Sequence, residues 1–122
     1  MRIVKSMSFD AAHYIDIAEQ ETGPARPYAR MHGHSFSMEV VIEGDPGAET
    51  GWVVDFGDIA DALEGLREKL DHRLLNEVEG LERPTMENIC QWAAHKLKIQ
   101  FPDLVQIRVS RPSCGETCIY DV

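Results

Sequence analysis

Two stretches of alternating polar and apolar residues constrain the fold of this chain more than any other feature of its sequence. Residues 2–9 and 34–43 alternate or are rich in β-branched residues, which is typical of strands with one buried face. The loop 44–51 is dense in Gly, Pro and Asp and suits a hairpin, so we expect residues 52–56 (WVVDF) to form a third strand. Residues 104–110 and 117–121 predict one long and one short strand further along the chain.

The middle of the chain has the period of two amphipathic helices. The first predicted helix follows Asp58, a good N-cap, and the second follows Pro84-Thr85 and ends before Pro102. The apolar residues that repeat at helical spacing are Ile59, Ala62, Leu63, Leu66 and Leu70 in the first helix and Met86, Ile89, Ala93 and Leu97 in the second. This order predicts an α+β fold in which both helices cover one face of an antiparallel sheet.

Length and charge narrow the class of protein. The 122 residues, 43% of them hydrophobic, predict a single domain over residues 1–122. The net charge of −9 offers no basic surface for nucleic acid or for an anionic membrane, so neither is expected as a partner. The alternating start of the chain lacks the continuous apolar stretch of a signal peptide or membrane span, which predicts a cytoplasmic protein with its three cysteines reduced.

Two histidines flank a glycine at the start of the second predicted strand, in the segment YARMHGHSF (28–36). Residues two apart on a strand point to the same face, so His32 and His34 can direct both imidazoles at one ion. His13, at the end of the first predicted strand, supplies a third imidazole if these strands pair antiparallel. Three neutral imidazoles with an open fourth position describe a catalytic zinc site. The alternative is that His32 and His34 are two polar residues on a solvated strand face.

Five segments of the chain, in order, resemble the 6-pyruvoyltetrahydropterin synthase family, and most closely its bacterial 6-carboxytetrahydropterin synthases. The segments are SFDAAH, MHGHSF, VVDFGDI, LDHRLLN and PTMENI, and together they span almost the whole chain. The resemblance implies a tunnelling fold, in which a four-stranded antiparallel sheet carries two helices on one face. It also implies a homo-oligomer, commonly a hexamer built as a dimer of trimers, whose sheets join into a barrel with active sites between subunits.

A substrate and a reaction also follow from the resemblance. The family acts on a small pterin, 7,8-dihydroneopterin triphosphate, and the bacterial enzyme converts it to 6-carboxytetrahydropterin, acetaldehyde and triphosphate on the route to queuosine. His13, His32 and His34 match the family's zinc ligands. A Zn²⁺ ion there would polarise the side-chain oxygens of the substrate and acidify the neighbouring carbon-bound protons.

The family's catalytic pair matches Asp71 and His72, and carboxylate beside imidazole is what general acid–base catalysis requires. Because adjacent residues seldom hydrogen-bond each other, we expect His72 to take its carboxylate partner from elsewhere. The alternative is that Asp71 caps the loop after the first helix and His72 is merely exposed. Thr85 and Glu87 match a segment that lines the pterin pocket, although Thr85 is also a natural N-cap and Glu87 suits a first helical turn.

The residue four positions before His32 departs from the family pattern. The family usually has a cysteine there, which acts as the proton-abstracting base, whereas this chain has Tyr28. A phenol, with a pKa of about 10 against about 8.5 for a thiol, is the poorer base unless a cation such as Arg26 or Arg30 lowers its pKa. Family members that make a folate precursor have glutamate at this position. A loop carboxylate is therefore a second candidate, from among Asp16, Glu19 and Glu21.

The end of the chain is a second departure. The family's last long strand carries a glutamate that binds the amino-pyrimidine edge of the pterin through a bidentate charged contact. Arg111-Pro112 stands near that place here, and Glu116 is our candidate for the anchor, the alternative being an ordinary turn residue. Cys114 and Cys118 are interpreted as free thiols, with a thiol reaching the active site left open.

Three functions are compatible with these observations. The first is a zinc-dependent lyase of the 6-carboxytetrahydropterin synthase type, and the second is a diverged member of the family with a different pterin product. The third is a non-catalytic protein that binds pterin or metal on the same scaffold. Retention of Asp71-His72 together with three histidines favours an enzyme, because a binding protein needs no acid–base pair.

Overall fold

The structure, a computed structural model, describes residues 1–15 and 27–122 of the chain. It contains strands β1 (Arg2–His13), β2 (His32–Glu43), β3 (Leu104–Arg111) and β4 (Glu116–Asp121), with helices α1 (Phe56–Leu70) and α2 (Met86–Leu97) between β2 and β3. The strands form one antiparallel sheet in the order β1-β2-β3-β4. The predicted α+β fold with a four-stranded antiparallel sheet is confirmed.

The two faces of the sheet differ in what covers them. Alternate residues of β2, such as Phe36, Met38 and Val40, are buried together with the apolar faces of α1 and α2. The opposite face carries polar side chains, among them Glu39 and Arg108, which form an exposed ion pair with an Nη1–Oε2 distance of 3.3 Å. Both helices therefore lie on one face, as predicted. Neither is long and apolar enough to span a membrane.

The third strand expected over residues 52–56 is wrong, because these residues form a loop that leads directly into α1. β2 already pairs with β1 on one edge and β3 on the other, so no edge of β2 is free for this segment. Val53 and Val54 pack against the core from the loop instead, which accounts for their β-branched, apolar character. The N-cap is Asp55 rather than Asp58, since the Asp55 side chain accepts a hydrogen bond from the Gly57 N–H at 2.8 Å.

The segment after α1 runs along the outer edge of β1. The His72 N–H donates to the Asp10 carbonyl at 2.6 Å, the Ala12 N–H donates to the Arg73 carbonyl at 2.9 Å, and Leu74 forms a parallel bridge with Ala12. Among the described residues, the remainder of that edge, residues 2–7, has no backbone partner. The chain therefore brings residues 71–74 to the same end of the sheet as His13.

Candidate functional site

The three histidines predicted to bind metal lie together at one end of the sheet. β1 and β2 pair with His13 opposite His32, and strand alternation places His34 on the same face. The Nε2 atoms of His13 and His32 are 3.0 Å apart, and the candidate ligand atoms of the three residues all lie within 4.8 Å of one another. The antiparallel pairing that the sequence analysis required for His13 is therefore present.

The other ring nitrogen of each histidine has a partner of its own. Nδ1 of His13 donates to the Pro84 carbonyl at 2.9 Å, and Nδ1 of His32 donates to the Arg30 carbonyl at 2.6 Å. Nδ1 of His34 lies 3.8 Å from the Cys114 sulfur. A carbonyl oxygen can only accept, so the contacts of His13 and His32 place the proton on Nδ1 and leave the Nε2 lone pair free.

The surroundings of His13 and His34 favour the neutral form of each imidazole. Burial lowers the pKa of His13 to about 4, and the positive charges of His32, His34 and Arg111 act in the same direction, against the opposing hydrogen bond to Pro84. The pKa of His34 is also lowered, mainly by burial and then by Arg111. Neutral imidazoles are the form that binds a metal ion, and three of them with oriented Nε2 atoms fit a zinc ion.

Asp71 and His72 contact each other directly, which corrects the expectation that His72 finds its carboxylate elsewhere. The Asp71 Oδ2 atom is 3.0 Å from Nδ1 of His72. This contact between neighbours depends on the left-handed backbone of His72, whose φ is 57°. The Asp71 carboxylate also accepts from the Asp10 N–H at 2.9 Å and lies 3.2 Å from Arg67. The Asp10 N–H and His72 hydrogen bonds are the main causes that lower the pKa of Asp71.

The Asp71–His72 pair lies beside the histidine cluster rather than within it. His72, 80% exposed in its side chain, lines a cavity of about 610 Å³ together with Asp10, Ser35 and Arg73. Strand alternation directs Asp10 and Ser35 to the face without helices, whereas His13, His32 and His34 point to the helix-covered face. His34 also borders this cavity. Apart from this shared border, no hydrogen bond or ion pair among the described residues joins the Asp71–His72 pair to the three histidines.

Tyr28 lies on a 3-10 turn, Pro27–Ala29. Within residues 1–15 and 27–122, its side chain makes no hydrogen bond or aromatic contact with the three histidines. Its carbonyl accepts from the Ile15 N–H at 2.9 Å, and the residue is 39% exposed. No hydrogen bond of the Tyr28 hydroxyl occurs within those ranges. The alternative bases Asp16, Glu19 and Glu21, and also Arg26, lie outside the described residues.

Thr85 and Glu87 occupy the start of α2. The Thr85 hydroxyl accepts from the Asn88 N–H at 3.2 Å and thereby caps the helix, as its sequence position predicts. Glu87 is exposed in the first turn. The preceding Pro84 carbonyl orients His13, so this segment supports the histidine cluster through its backbone.

The turn between β3 and β4 brings Arg111, which had no predicted role, together with Glu116, the predicted pterin anchor, and Cys114, a thiol whose place in the site was left open. Arg111 ends β3, its Nη1 atom lies 3.4 Å from Nε2 of His34, and its Nη2 atom forms an ion pair with Glu116, the first residue of β4. Cys114 lies between them, beside Nδ1 of His34. The signal that would have found Arg111 and Cys114 is the pairing of β3 with β2, which brings the end of β3 to the start of β2.

Known proteins have sequences similar to this chain over most of its length. A family model described as 6-pyruvoyl tetrahydropterin synthase matches residues 2–122. The chain is 37% identical over 107 residues to the dihydroneopterin monophosphate aldolase of Pyrococcus furiosus, across 88% of this chain and 83% of that protein. It is 42% identical over 101 residues to the 6-carboxy-5,6,7,8-tetrahydropterin synthase of Synechocystis, across 79% of this chain and 74% of that protein.

Among solved structures, the 6-pyruvoyl tetrahydropterin synthase of Caenorhabditis elegans has the same fold. It superposes with a TM-score of 0.87 at 20% identity and covers 100% of this chain and 95% of its own. The family match extends over nearly the whole chain, and the histidine cluster lies inside it. This chain belongs to the 6-pyruvoyl tetrahydropterin synthase family, whose enzymes are lyases that act on pterins.

Proposed function

We propose that the chain is a zinc-dependent lyase acting on the side chain of a phosphorylated 7,8-dihydroneopterin. The observation that carries this proposal is the convergence of three imidazoles whose Nδ1 atoms all face other groups. Such a donor set leaves coordination positions open for substrate oxygens. When bound, zinc supplies a Lewis acid that lowers the pKa of the side-chain hydroxyl groups and of neighbouring carbon-bound protons.

The Asp71–His72 pair is the proposed acid–base catalyst. The Asp71 carboxylate holds His72 through Nδ1, so Nε2 of His72 is the atom available to accept and return a proton. Asp71 stays ionised at neutral pH because its pKa is lowered, and it stabilises the imidazolium that His72 forms. A protein that only binds pterin needs no such pair, which favours an enzyme over a binding protein.

The first candidate reaction is that of a 6-carboxytetrahydropterin synthase on 7,8-dihydroneopterin triphosphate. The Synechocystis relative bears that enzyme's name. The family pattern expects a thiol base for this chemistry at the position of Tyr28. Tyr28 therefore remains a candidate catalytic residue for this reaction, but a poorer base than the thiol it replaces.

The second candidate is an aldol cleavage that gives a different pterin product, and two observations favour it. Tyr28 stands in place of the thiol, and the Pyrococcus furiosus relative is named an aldolase of dihydroneopterin monophosphate. In such a cleavage His72 takes the proton of the second side-chain hydroxyl, and the carbon–carbon bond beside it breaks. The bond's electron pair moves into the ring imine, and the carbon attached to the ring is then protonated. The step needs neither an oxidant nor a further reactant.

Glu116 is the proposed anchor for the amino-pyrimidine edge of the pterin. Its side chain is 48% exposed, and its ion pair with Arg111 uses Oε2, which leaves Oε1 for an N–H of the pterin. Thr85 and Glu87 are proposed to line the pocket beside it. Because the Thr85 hydroxyl is engaged in the helix cap, we expect it to contribute shape rather than a hydrogen bond.

We further propose that the active form is a homo-oligomer, a hexamer built as a dimer of trimers, in the cytoplasm. Residues 2–7 of β1 and the outer edge of β4 are unpaired among the described residues, and joining sheets into a barrel would pair them. Assembly would also let the Asp71–His72 pair of one subunit serve the histidine cluster of another, which accounts for their separation on one chain. Sedimentation that finds only monomer at micromolar concentration would contradict this.

The function is tested by offering both substrates to the zinc-loaded protein. 7,8-Dihydroneopterin monophosphate and triphosphate are incubated in parallel, and products are identified by mass spectrometry, with the metal-free protein as control. An aldol cleavage yields a hydroxymethyl pterin and a two-carbon aldehyde phosphate from the monophosphate, whereas the synthase yields 6-carboxytetrahydropterin from the triphosphate. No product from either substrate with a fully zinc-loaded oligomer would rule out the proposed function.

A further inference from the structure

Arg111 has a buried hydrogen-bond donor, Nε, that has no partner among the described residues. Its side chain is only 18% exposed. Nη2 is paired with Glu116, Nη1 lies 3.4 Å from Nε2 of His34, and Nε is buried without a partner among residues 1–15 and 27–122. An arginine has five N–H donors and no acceptor, so a largely buried guanidinium with an unpaired donor calls for an acceptor that the fold itself does not supply.

The contact between Arg111 and His34 competes with metal binding. Nδ1 of His34 faces Cys114, so Nε2 is the nitrogen that joins the cluster with His13 and His32. A single lone pair on Nε2 serves either a metal ion or an N–H donor, not both. In the metal-loaded protein, Arg111 therefore loses its acceptor on His34. The Arg111 guanidinium would then lie beside the positively charged metal ion, and Glu116 would be its only anionic partner among the described residues. Two neighbouring cations repel each other, so this arrangement favours the binding of a further anion.

We propose that Arg111 binds an oxygen anion on the carbon side chain of the substrate, the anion formed when a side-chain hydroxyl loses its proton. The inference rests on the proposed function and adds a residue to it. Arg111 lies between Glu116, the proposed pterin anchor, and His34, a proposed metal ligand, so it faces the part of the substrate between ring and phosphate.

Position and charge give Arg111 a role that the other site residues do not have. Glu116 fixes the guanidinium plane through its ion pair, so the free N–H groups are oriented before the substrate arrives. A charge-assisted hydrogen bond to an oxygen that becomes anionic during the reaction stabilises the transition state more than the ground state. His72 moves the proton, and Arg111 stabilises the charge left behind.

The test uses cobalt-loaded protein and glycolate, a small anion that offers a hydroxyl and a carboxylate oxygen on adjacent carbons. Glycolate binding is followed by the visible spectrum of the cobalt. We expect Arg111→Gln to weaken it by about tenfold to a hundredfold, as for loss of a hydrogen bond to a charged group, and Arg111→Lys to weaken it less. Arg108→Gln is the matched control, because Arg108 lies on the same strand but pairs with Glu39 on the other face.

Metal affinity separates ligand binding from a purely structural role. Removing a positive charge beside a metal site leaves cobalt affinity unchanged or raises it, so Arg111→Gln should bind cobalt at least as tightly as the parent. A fall in cobalt affinity that accounts for the weaker glycolate binding would overturn the proposal in favour of a brace between β3 and β4. Unchanged glycolate binding in Arg111→Gln would overturn it directly.

Inorganic phosphate is the second probe, because the substrate also carries phosphate. Phosphate binding that Arg111→Gln abolishes, with glycolate binding unaffected, would assign Arg111 to the phosphate end and overturn the proposal. None of these measurements needs a pterin. Failure of both pterin phosphates to react would therefore count against the proposed function alone, and the glycolate result would still decide the role of Arg111.

Discussion

His13 and His72 lie near the same end of the sheet but differ in exposure and in what holds each ring. His13 is 1% exposed and its ring is held by a backbone carbonyl, whereas the His72 side chain is 80% exposed and contacts the Asp71 carboxylate. A metal ligand gains from being held rigid and neutral before the ion arrives. A proton carrier needs access to substrate. The candidate metal ligands are therefore brought together within one chain, whereas His72 of the proposed acid–base pair remains exposed on that chain.

The largest effect is expected from removing a histidine of the three-histidine cluster. His32→Ala and His34→Ala should each lower zinc content from about one per subunit to near zero and abolish turnover, because two imidazoles make a weak site. Metal analysis after gel filtration measures this. His95→Ala, an exposed histidine on α2, is the matched control. Full zinc content in both cluster variants would refute the assignment.

At the exposed His72, the substitution His72→Gln should remove the proposed acid–base function without changing the zinc content. We expect turnover to fall by about a hundredfold to ten-thousandfold with zinc content unchanged, since proton transfer contributes on that scale. Steady-state kinetics and metal analysis on the same sample check both halves. Zinc loss in His72→Gln would mean that His72 and the metal centre are not independent.

Mixed oligomers test whether His72 and the histidine cluster of one site come from different subunits. If His72 of one subunit serves the cluster of another, co-expressing His72→Gln with His34→Ala restores complete sites in about a quarter of cases by random mixing. Activity near that fraction of the parent is the expected result. No recovery in verified mixed oligomers would show that each subunit uses its own pair.

The burial of His13 also predicts that the free energy of unfolding depends on pH. The pKa of His13 is about 4 in the folded chain against 6.5 for an unperturbed histidine. Between these values the unfolded chain binds a proton that the folded chain does not, so stability falls as the pH falls. We expect about 2 kcal/mol of loss between pH 7 and pH 5 in the metal-free protein.

Denaturant unfolding at the two pH values measures this loss, and His13→Gln is the comparison. Carboxylates contribute to both proteins, so the difference between their pH dependences isolates His13. Equal dependences in parent and variant would contradict the prediction.

A smaller effect is expected at Cys114, whose sulfur contacts Nδ1 of His34. The Nδ1 atoms of His13 and His32 contact backbone carbonyls instead. Cys114→Ala should lower zinc affinity by about tenfold, because a ligand loses the partner that orients it. Cys114→Ser keeps a hydrogen-bonding atom and should stay close to the parent in a chelator competition. An alanine variant that binds zinc as tightly as the parent would contradict this role.

The smallest effect is expected at Tyr28. Tyr28→Phe should cost less than about tenfold in turnover, because the hydroxyl has no described partner and removal of a true base costs about a hundredfold or more. Tyr28→Cys should raise the yield of 6-carboxytetrahydropterin from the triphosphate. A hundredfold loss in Tyr28→Phe would instead establish Tyr28 as a catalytic residue.

The histidine cluster could be predicted because its determinants are local. A spacing of two residues fixes His32 and His34 on one face whatever the rest of the fold does. His13 needed only the antiparallel pairing of β1 with β2, which the alternating patterns already indicated. The start of α2 was likewise predicted, since Thr85 caps it with its own side chain.

What the sequence did not predict depends on long-range or unusual backbone geometry. Val53 and Val54 have the composition of a strand, but whether an edge is free for them depends on the position of β3. The Asp71–His72 contact requires a left-handed residue that no local pattern announced. Arg111 and Cys114 reach His34 across 77 and 80 residues of chain, so only the register of β2 and β3 brings them together.

The left-handed backbone of His72 places stability and activity in conflict at a single position. For folding alone, glycine suits a φ of 57° better than a residue with a Cβ, and non-glycine residues in this region carry a strain of about 1 kcal/mol. A His72→Gly chain would thus resist denaturant at least as well as the parent while losing its proton carrier. If His72 is the proton carrier proposed above, the chain carries this imidazole at a cost in stability.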